Sequence, residues 1–547
     1  MNTSRAWRRW LTGLALTGLL ACGCNSLREY ADNGFKVGPN YGRPPAPVAD
    51  DWIDASDARV RKQGEDPGQW WTVFRDPVLD SLVCSTYRQN LTLREAGFRV
   101  LQARAQLAID VGELFPQQQS LTGAYTRTEL SRQTAVGGAT ARRFVSQWNY
   151  GFNLAWELDF WGRFRRAVEA DSATLDASVE NYDDVLVTLL SDVATAYVQM
   201  RTLEQRIKYA KENVALQKAT LTIVQGQVRV QLRPEIDLIQ ARSTLEQTEA
   251  QIPELEISLR QAANQLCILI GIPPEDLQAR LGPGTIPEAP ADVVVGVPAD
   301  LLRRRPDVRR AERQAAAQCA IIGVAEAELY PHFSIGGNVG YAAQRFPDLF
   351  SGKAFTGSVG PSFTWNVLNY GRLVNNVRLQ DARFQELIAG YQQAVLTANQ
   401  DVENGLVTFL KAQERTRLQA SAVNDAERAV KIALEQYRAG TVDLTRVTLL
   451  QQNLVQLQDI LAQARGEIGL GLIQVYKALG GGWQIRLTGC EPTPPAANPA
   501  PAAPSKPEPV PAPKPVPTAR SPYSPSNAPP PSSRSAANQM AFEGFTP

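Results

Sequence analysis

Between Phe144 and Glu157 the even positions read Phe144, Ser146, Trp148, Tyr150, Phe152, Leu154 and Trp156, and the odd ones Val145, Gln147, Asn149, Gly151, Asn153, Ala155 and Glu157. Large apolar residues at period two, opposite small and polar ones, predict a strand with one apolar and one wet face. After Trp161-Gly162-Arg163 the period changes. Tyr182, Val185, Leu186, Leu189, Val193, Ala196, Tyr197, Met200, Leu203 and Ile207 step by three or four, which predicts a helical stripe. No proline and one glycine, Gly226, fall between Arg163 and Val230. One helix of roughly 65 residues, about 100 Å at 1.5 Å per residue, fits that stretch.

The same reading gives the other elements. Helices are expected from Pro77 to about Asn90 and from Leu93 to Leu114, and a strand over Ser120–Thr128. A return helix starts near Glu235, is interrupted at Pro253 and stops at Gly271. Further on come shorter helices within Ala299–Leu329 and strands His332–Tyr341 and Phe355–Val367. A long helix Arg372–Arg438, a turn at Ala439-Gly440-Thr441 and a return helix Leu444–Leu479 follow. The two halves match: Gly162-Arg163 and Gly371-Arg372 lie 371 − 162 = 209 apart, as do Trp156 and Trp365, Tyr182 and Tyr391, and Gly271 and Gly480. Leu114-Phe115-Pro116 matches Leu329-Tyr330-Pro331 at 329 − 114 = 215. The chain is an internal duplication with one loop shorter in the second copy.

The last strand repeats the two-faced pattern. Phe355, Val359, Phe363 and Trp365 lie on one side, and Thr356, Ser358, Ser362, Thr364 and Asn366 on the other. Aromatics outside and small polar residues inside fit a transmembrane barrel strand; a soluble β-sandwich edge is the alternative. Four strands cannot sit in lipid with bare edges. A dimer or a trimer would close the sheet, and a trimer would give twelve strands with room for solutes, the long helices continuing the wall as a cylinder.

Composition narrows the class. A net charge of +1 argues against a general nucleic-acid binder, and six cysteines in 547 residues make no disulfide scaffold. Cys84, Cys267, Cys319 and Cys490 are equally compatible with free thiols and with pairs. Beyond the N-terminus no run approaches the ~20 apolar residues of a membrane helix. His332 is the sole histidine, so no multi-histidine metal site exists. There is no phosphate loop or Gly-x-Ser-x-Gly turn; no cofactor and no catalysis are expected.

Residues 1–21 read as a secretory signal, with Arg5, Arg8 and Arg9 before an apolar run; a buried N-terminal helix is the alternative. Leu19-Leu20-Ala21-Cys22 resembles a lipobox with Cys22 as the acylated residue, and Cys24 is a second candidate. Gly23 after it favours the outer membrane. The expected divisions are a lipidated, extended segment 22–76, a first repeat 77–282, a linker 283–298, a second repeat 299–482 and a Pro/Ala/Ser-rich disordered tail 483–547.

Several segments, taken in order, resemble the TolC-like outer-membrane efflux factors of the lipoprotein branch that serves resistance-nodulation-division (RND) pumps. They are Val37-Gly38-Pro39-Asn40-Tyr41, Phe74-Arg75-Asp76-Pro77, Gln102-Ala103-Arg104-Ala105 and Asp159-Phe160-Trp161-Gly162-Arg163, then Leu301-Leu302-Arg303-Arg304-Arg305-Pro306-Asp307-Val308, Leu329-Tyr330-Pro331 and Tyr476 to Trp483. The resemblance implies a mixed α and β duplicated fold, with four strands per protomer forming a twelve-stranded barrel in a homotrimer. It also implies a long periplasmic helical barrel, a periplasmic adaptor and an inner-membrane RND pump as partners, and a passive exit channel for small molecules. On this reading Phe144, Trp148, Tyr150, Phe152, Leu154, Trp156, Phe355, Val359, Phe363 and Trp365 face lipid, and the helix turns at Gln231 and Leu232 and at Gly440, Thr441 and Val442 dock the adaptor.

Two departures stand out. Members usually carry glycine where this chain has Gln231, and a non-glycine restricts left-handed angles at that turn. Relatives often place an aspartate nine residues after the second glycine; here it is Leu449, so no acidic ring carries over. The expected gate is instead an opposite-charge set, Glu235, Asp237, Asp443 and Arg446, with Asp237 and Arg446 equivalent in the two copies (446 − 237 = 209). Solvated turn charges are the alternative. A polypeptide secretion duct and a non-conducting lipid-anchored coiled-coil scaffold are the competing functions.

Overall fold

A computed structural model describes residues 27–62, 67–131, 133 and 144–490. The signal, Cys22 and Cys24, most of the loop between the first two strands and residues 491–547 lie outside them. In chain order the main elements are α1 (Pro77–Gln89), α2 (Leu91–Gly112), β1 (Gln118–Glu129), β2 (Phe144–Leu158), α3 (Arg163–Arg229) and α4 (Glu235–Ile270). The second copy supplies α5 (Pro306–Ala327), β3 (His332–Ala343), β4 (Phe355–Thr364), α6 (Arg372–Arg438) and α7 (Leu444–Ala478).

Local chemistry sets the helix ends. Asp76 caps α1 by accepting from the amides of Val78 and Leu79, with Pro77 in the first turn. Asn90 caps α2 through the Leu93 amide. Both long helices, 67 residues each, start from a left-handed glycine, Gly162 at φ 82° and Gly371 at φ 81°. At Gly162 a side chain would also collide with Lys36, whose atoms lie 2.6–2.9 Å from where a Cβ would sit. α4 runs unbroken through Pro253, against the expected interruption. Pro253 is exposed while Leu245, Thr248, Leu255 and Leu259 stay buried on either side. Packing of the opposite face holds the helix across the one lost hydrogen bond.

The main core surrounds the middle of α3. Leu186, Leu190, Val193, Tyr197 and Met200 of α3, which packs on α1, α4, α5 and α7, share this core with the C-terminal part of α4 and with Tyr391 to Leu410 of α6. Two smaller clusters follow the helix pairs away from the sheet, and the outermost joins Val224, Ala241, Tyr437, Leu444 and Val447.

Three expectations are corrected. The segment before α1 is no mere extended tether: Trp52, Trp70, Trp71 and Phe74 are core residues, and Trp70 stacks on Tyr476 at 5.8 Å. Its Val60–Arg61 pairs in parallel with Val293–Val294 from the linker between repeats. Buried aromatic anchors, three of them within Trp70–Phe74, override the polar composition around them. Second, residues 483–490 belong to the fold rather than to a tail. Arg486 pairs with buried Asp183 (2.7 Å), Trp483 lies under the Arg309 guanidinium, and Cys490 is bonded to Cys84. Third, the last strand stops at Thr364, because its partner β3 begins at His332 opposite it. Trp365 leaves the ladder and its indole donates to the Leu329 carbonyl (3.0 Å).

Candidate functional site

The sheet is a four-stranded antiparallel meander in the order β1-β2-β3-β4, and β1 and β4 are unpaired at its two edges. Register collects the apolar residues of all four strands on one face, since directly opposed residues point the same way. Across the sheet Leu121, Phe152 and Val339 align, as do Tyr125 and Trp148, and Tyr150, Tyr341 and Phe355. Tyr150 stacks on Tyr341 at 5.3 Å. The other face carries Ser120, Asn153, Asn338 and Ser358 in one row and Thr122, Gly151, Gly340 and Thr356 in the next. Of the residues expected on the apolar face, Phe144, Trp148, Tyr150, Phe152, Leu154, Trp156, Phe355, Val359 and Phe363 all have that parity. Trp365 lies one residue beyond the strand and outside its register. Phe152, Phe355, Val359 and Phe363 are 40–79 % exposed, a large uncovered apolar surface for one chain.

At the helix-proximal end of the strands an aromatic collar forms that sequence reading did not assemble. Trp161 stacks on Tyr330 at 4.5 Å and Phe160 lies 5.5 Å from Phe333. The first described residues strap onto it. Tyr30 packs on Phe160 and Trp161 and donates to the Phe160 carbonyl. Arg165, paired with Asp159, donates to the carbonyls of Gly34 and Phe35. Lys36 meets Glu169, and Val37 donates to the Trp161 carbonyl. These contacts explain why Val37-Gly38 and Asp159-Phe160-Trp161-Gly162-Arg163 occur together. Beside the collar, His332 sits between Glu157 (2.9 Å) and Glu328 (3.6 Å), both tied to Arg163.

Below lies a buried ionic girdle between α3, α5 and residues 483–490. Arg305 of the Arg-Pro-Asp segment grips Asp307, Asp401 and the Ala478 carbonyl, which joins that segment to the end of α7. Gly480 passes so close to it that a Cβ would lie 2.9 Å from the Arg305 Cα. Arg309 reaches Glu180 at 2.6 Å and Asp183 at 3.7 Å. Burial pushes the Glu180 carboxyl up to about 7, against the pull of Arg309, and raises Asp183 and Asp184 as well.

The far end consists of two helix turns. Gln231 takes the left-handed conformation despite its side chain, φ 58°, as Gly440 does at φ 78°. The turn therefore has the shape a glycine would give, and the expected restriction is overridden by the hydrogen bonds that close it (Gln231 amide to Val228, Leu232 amide to Gln227). Leu232 is 73 % exposed, and Gly440 and Thr441 are exposed beside half-buried Val442. Of the charged set, Glu235, Asp443 and Arg446 are exposed, and Asp237 lies half-buried by Tyr437. Burial and then the Asp237 charge hold the Tyr437 hydroxyl above its usual range. The four are not linked to one another within the chain. The cation that joins the two turns is Arg233, over the Tyr437 ring at 4.9 Å, donating to the Val442 carbonyl and 3.9 Å from Asp443. It escaped notice because its equivalent in the second copy is Val442 (233 + 209 = 442), so the repeat does not flag it.

Comparison with known proteins agrees with this architecture. The family model described as outer membrane efflux protein matches residues 83–272 and 297–481, one segment per repeat. The pyoverdine export outer membrane protein OpmQ of Pseudomonas aeruginosa is 31 % identical over 450 residues, 81 % of this chain and 94 % of the relative. Nodulation protein T of Rhizobium leguminosarum bv. trifolii is 28 % identical over 457 residues, 82 % and 95 %. Among solved structures, the outer-membrane channel OprN superposes with a TM-score of 0.76 at 31 % identity, over 82 % of this chain and 99 % of that one. The chain belongs to the outer membrane efflux protein family: it is a TolC-like efflux channel protein of the outer membrane.

Proposed function

We propose that three copies of this chain close a twelve-stranded barrel and form the passive exit duct of a tripartite efflux system. The observation that carries this is the sheet: four strands, two bare edges, one uncovered apolar face and one small, polar face. In hydrocarbon each unpaired backbone group costs several kcal/mol, so copies must share one cylinder, with Phe152, Val359 and Phe363 toward lipid and Asn153, Asn338 and Ser358 toward the lumen. The long helix pairs carry the lumen inward, and the turns at Gln231-Leu232 and Gly440-Thr441-Val442 meet a periplasmic adaptor that joins the duct to an RND pump. Relatives named for pyoverdine export and for toluene efflux support small molecules as the cargo.

On this reading Glu235, Asp237, Asp443 and Arg446 bridge neighbouring helix pairs at the inner end, and the exposure of Arg446 within one chain supports it. Purified protein in planar bilayers tests both points. A resting conductance that rises in Arg446→Ala and Asp237→Ala supports duct and gate; unchanged conductance in both removes the pair from the gate, and no conductance under any condition favours a scaffold.

Lipidation of Cys22 fits the strap. Leu27 starts a short helix bound to the aromatic collar, and five residues of chain span at most about 17 Å. A collar of Tyr, Trp and Phe is the signature of a membrane interface, so an acyl chain on Cys22 reaches the bilayer edge. Mass spectrometry of the mature protein should find the added acyl mass on a peptide beginning at Cys22; an unmodified Cys22 in outer-membrane protein would end this reading.

A further inference from the structure

We propose that the outer rim of the sheet binds a phosphorylated glycolipid, whose acyl chains rest on Tyr125, Trp148, Phe346 and Phe350 and whose phosphates meet Arg127 and Lys353. This rests on the reading that the apolar face of the sheet meets lipid. The connection between β3 and β4, residues 344–354, is the first observation. It makes two short turns, Phe346–Phe350 and Gly352–Ala354. A loop at the mouth of a barrel has water and the lumen open to it. This one folds back over the apolar face instead. Phe346 meets Trp148 edge-on at 5.0 Å and Phe350 lies 6.2 Å from Tyr150, and both partners have the apolar parity of β2. Leu349 and Ala354 are buried beneath the turns. The two phenyl rings are not: Phe346 is 51 % and Phe350 66 % exposed. In water such a pair of rings is a liability, whereas at a membrane border it packs on acyl chains.

Its height on the sheet identifies the leaflet. Phe333 touches the aromatic collar beside the helices, and Tyr341 stacks on Tyr150 under the loop. The two lie 341 − 333 = 8 residues apart on β3, about 27 Å along a strand and about 21 Å along the membrane normal at a tilt near 40°. That covers most of the roughly 25 Å apolar band of an outer-membrane barrel. With the collar at the inner border, the loop and its rings mark the outer one. The outer leaflet of an outer membrane is where phosphorylated glycolipid is found.

Charge at the rim favours that occupant over a plain lipid. Arg127 lies opposite Ser146 as Tyr125 lies opposite Trp148, so it continues the apolar side, with its guanidinium 5.3 Å from the centre of the Phe144 ring. Lys353 stands two residues before Phe355, which packs edge-on against Tyr341. Both cations are exposed, and neither makes an ion pair among the described residues. Arg345 is tied to Asp348 at 2.9 Å, and Glu129 is the other carboxylate at this end. Free cations where an apolar face gives way to water are placed for phosphate oxygens. β1 and β4 are three strand spacings apart, about 14 Å. Arg127 and Lys353 therefore address the two ends of one headgroup, and a disaccharide with a phosphate at each end has that size. A phosphodiester lipid with a single phosphate reaches only one of them.

Native mass spectrometry of the detergent-purified protein, incubated with diphosphoryl lipid A, reads assembly and bound lipid in one spectrum. The parent protein should retain lipid A, should not retain lipid A stripped of its phosphates, and should not lose the bound lipid to an equal amount of phosphatidylglycerol. Arg127→Gln with Lys353→Gln should weaken retention roughly thirtyfold, at about fivefold per cation, without changing the assembly. Phe346→Ser with Phe350→Ser should weaken it as well. Equal retention of the stripped lipid, displacement by phosphatidylglycerol or undiminished retention by the Arg127 and Lys353 double variant overturns the site. So does a parent trimer that holds no lipid A. A parent protein that neither forms trimers nor enters lipid vesicles overturns the duct reading itself.

Discussion

At the scale of single residues, Gln231 shows how context overrides preference. A left-handed non-glycine costs roughly 1–2 kcal/mol, and the chain tolerates it because the turn is hydrogen-bonded on both sides. Gln231→Gly should therefore raise the stability of the tip by up to about 1 kcal/mol, read as slower hydrogen exchange at residues 228–236; faster exchange there would mean the glutamine side chain holds the turn. The glycine family pattern made Gln231 visible in the sequence. Arg233 was not visible, because its role depends on a ring and a carbonyl from a helix pair some 200 residues away.

At the scale of elements, the ionic girdle binds α3 to α5 and to residues 483–490. Glu180 has its carboxyl raised to about 7 by burial. A raised carboxyl binds its proton more tightly in the folded chain, so its contribution is complete below the unfolded value near 4.5 and is lost as pH rises through about 7. Asp183 and Asp184 shift in the same direction. Melting temperature should fall between pH 5 and pH 8, and Glu180→Gln should flatten that fall, by on the order of 1–3 kcal/mol at pH 8. An equally steep fall in the variant would show that Glu180 stays ionised against Arg309. The Arg-Arg-Arg-Pro-Asp segment and the Gly-Gly-Gly-Trp end were legible as motifs, but only packing shows that Arg305 and Gly480 touch.

At the scale of the whole molecule, the two faces of the sheet should respond oppositely to charge. Phe152→Arg on the apolar face should cost about 2–4 kcal/mol in lipid if it lies at mid-depth. Asn153→Arg, one residue on and facing inward, should cost little and change ion selectivity instead. Unfolding in lipid vesicles, with bilayer recording for selectivity, separates them; equal costs would mean that neither face is in hydrocarbon. The same alternation makes the four-strand sheet unable to stand alone.

The sequence by itself determined the elements and the duplication. Period two and period 3.6 are local properties, and the long helices Arg163–Arg229 and Arg372–Arg438 were legible to within a residue because no proline breaks them. Tertiary structure alone decided which segments join the core, what Cys84 and Cys490 do, and where the last strand stops. These depend on partners far along the chain: Tyr476 for Trp70, Asp183 for Arg486, Leu329 for Trp365. A pattern along the chain records which face is apolar. It does not record what arrives to cover it.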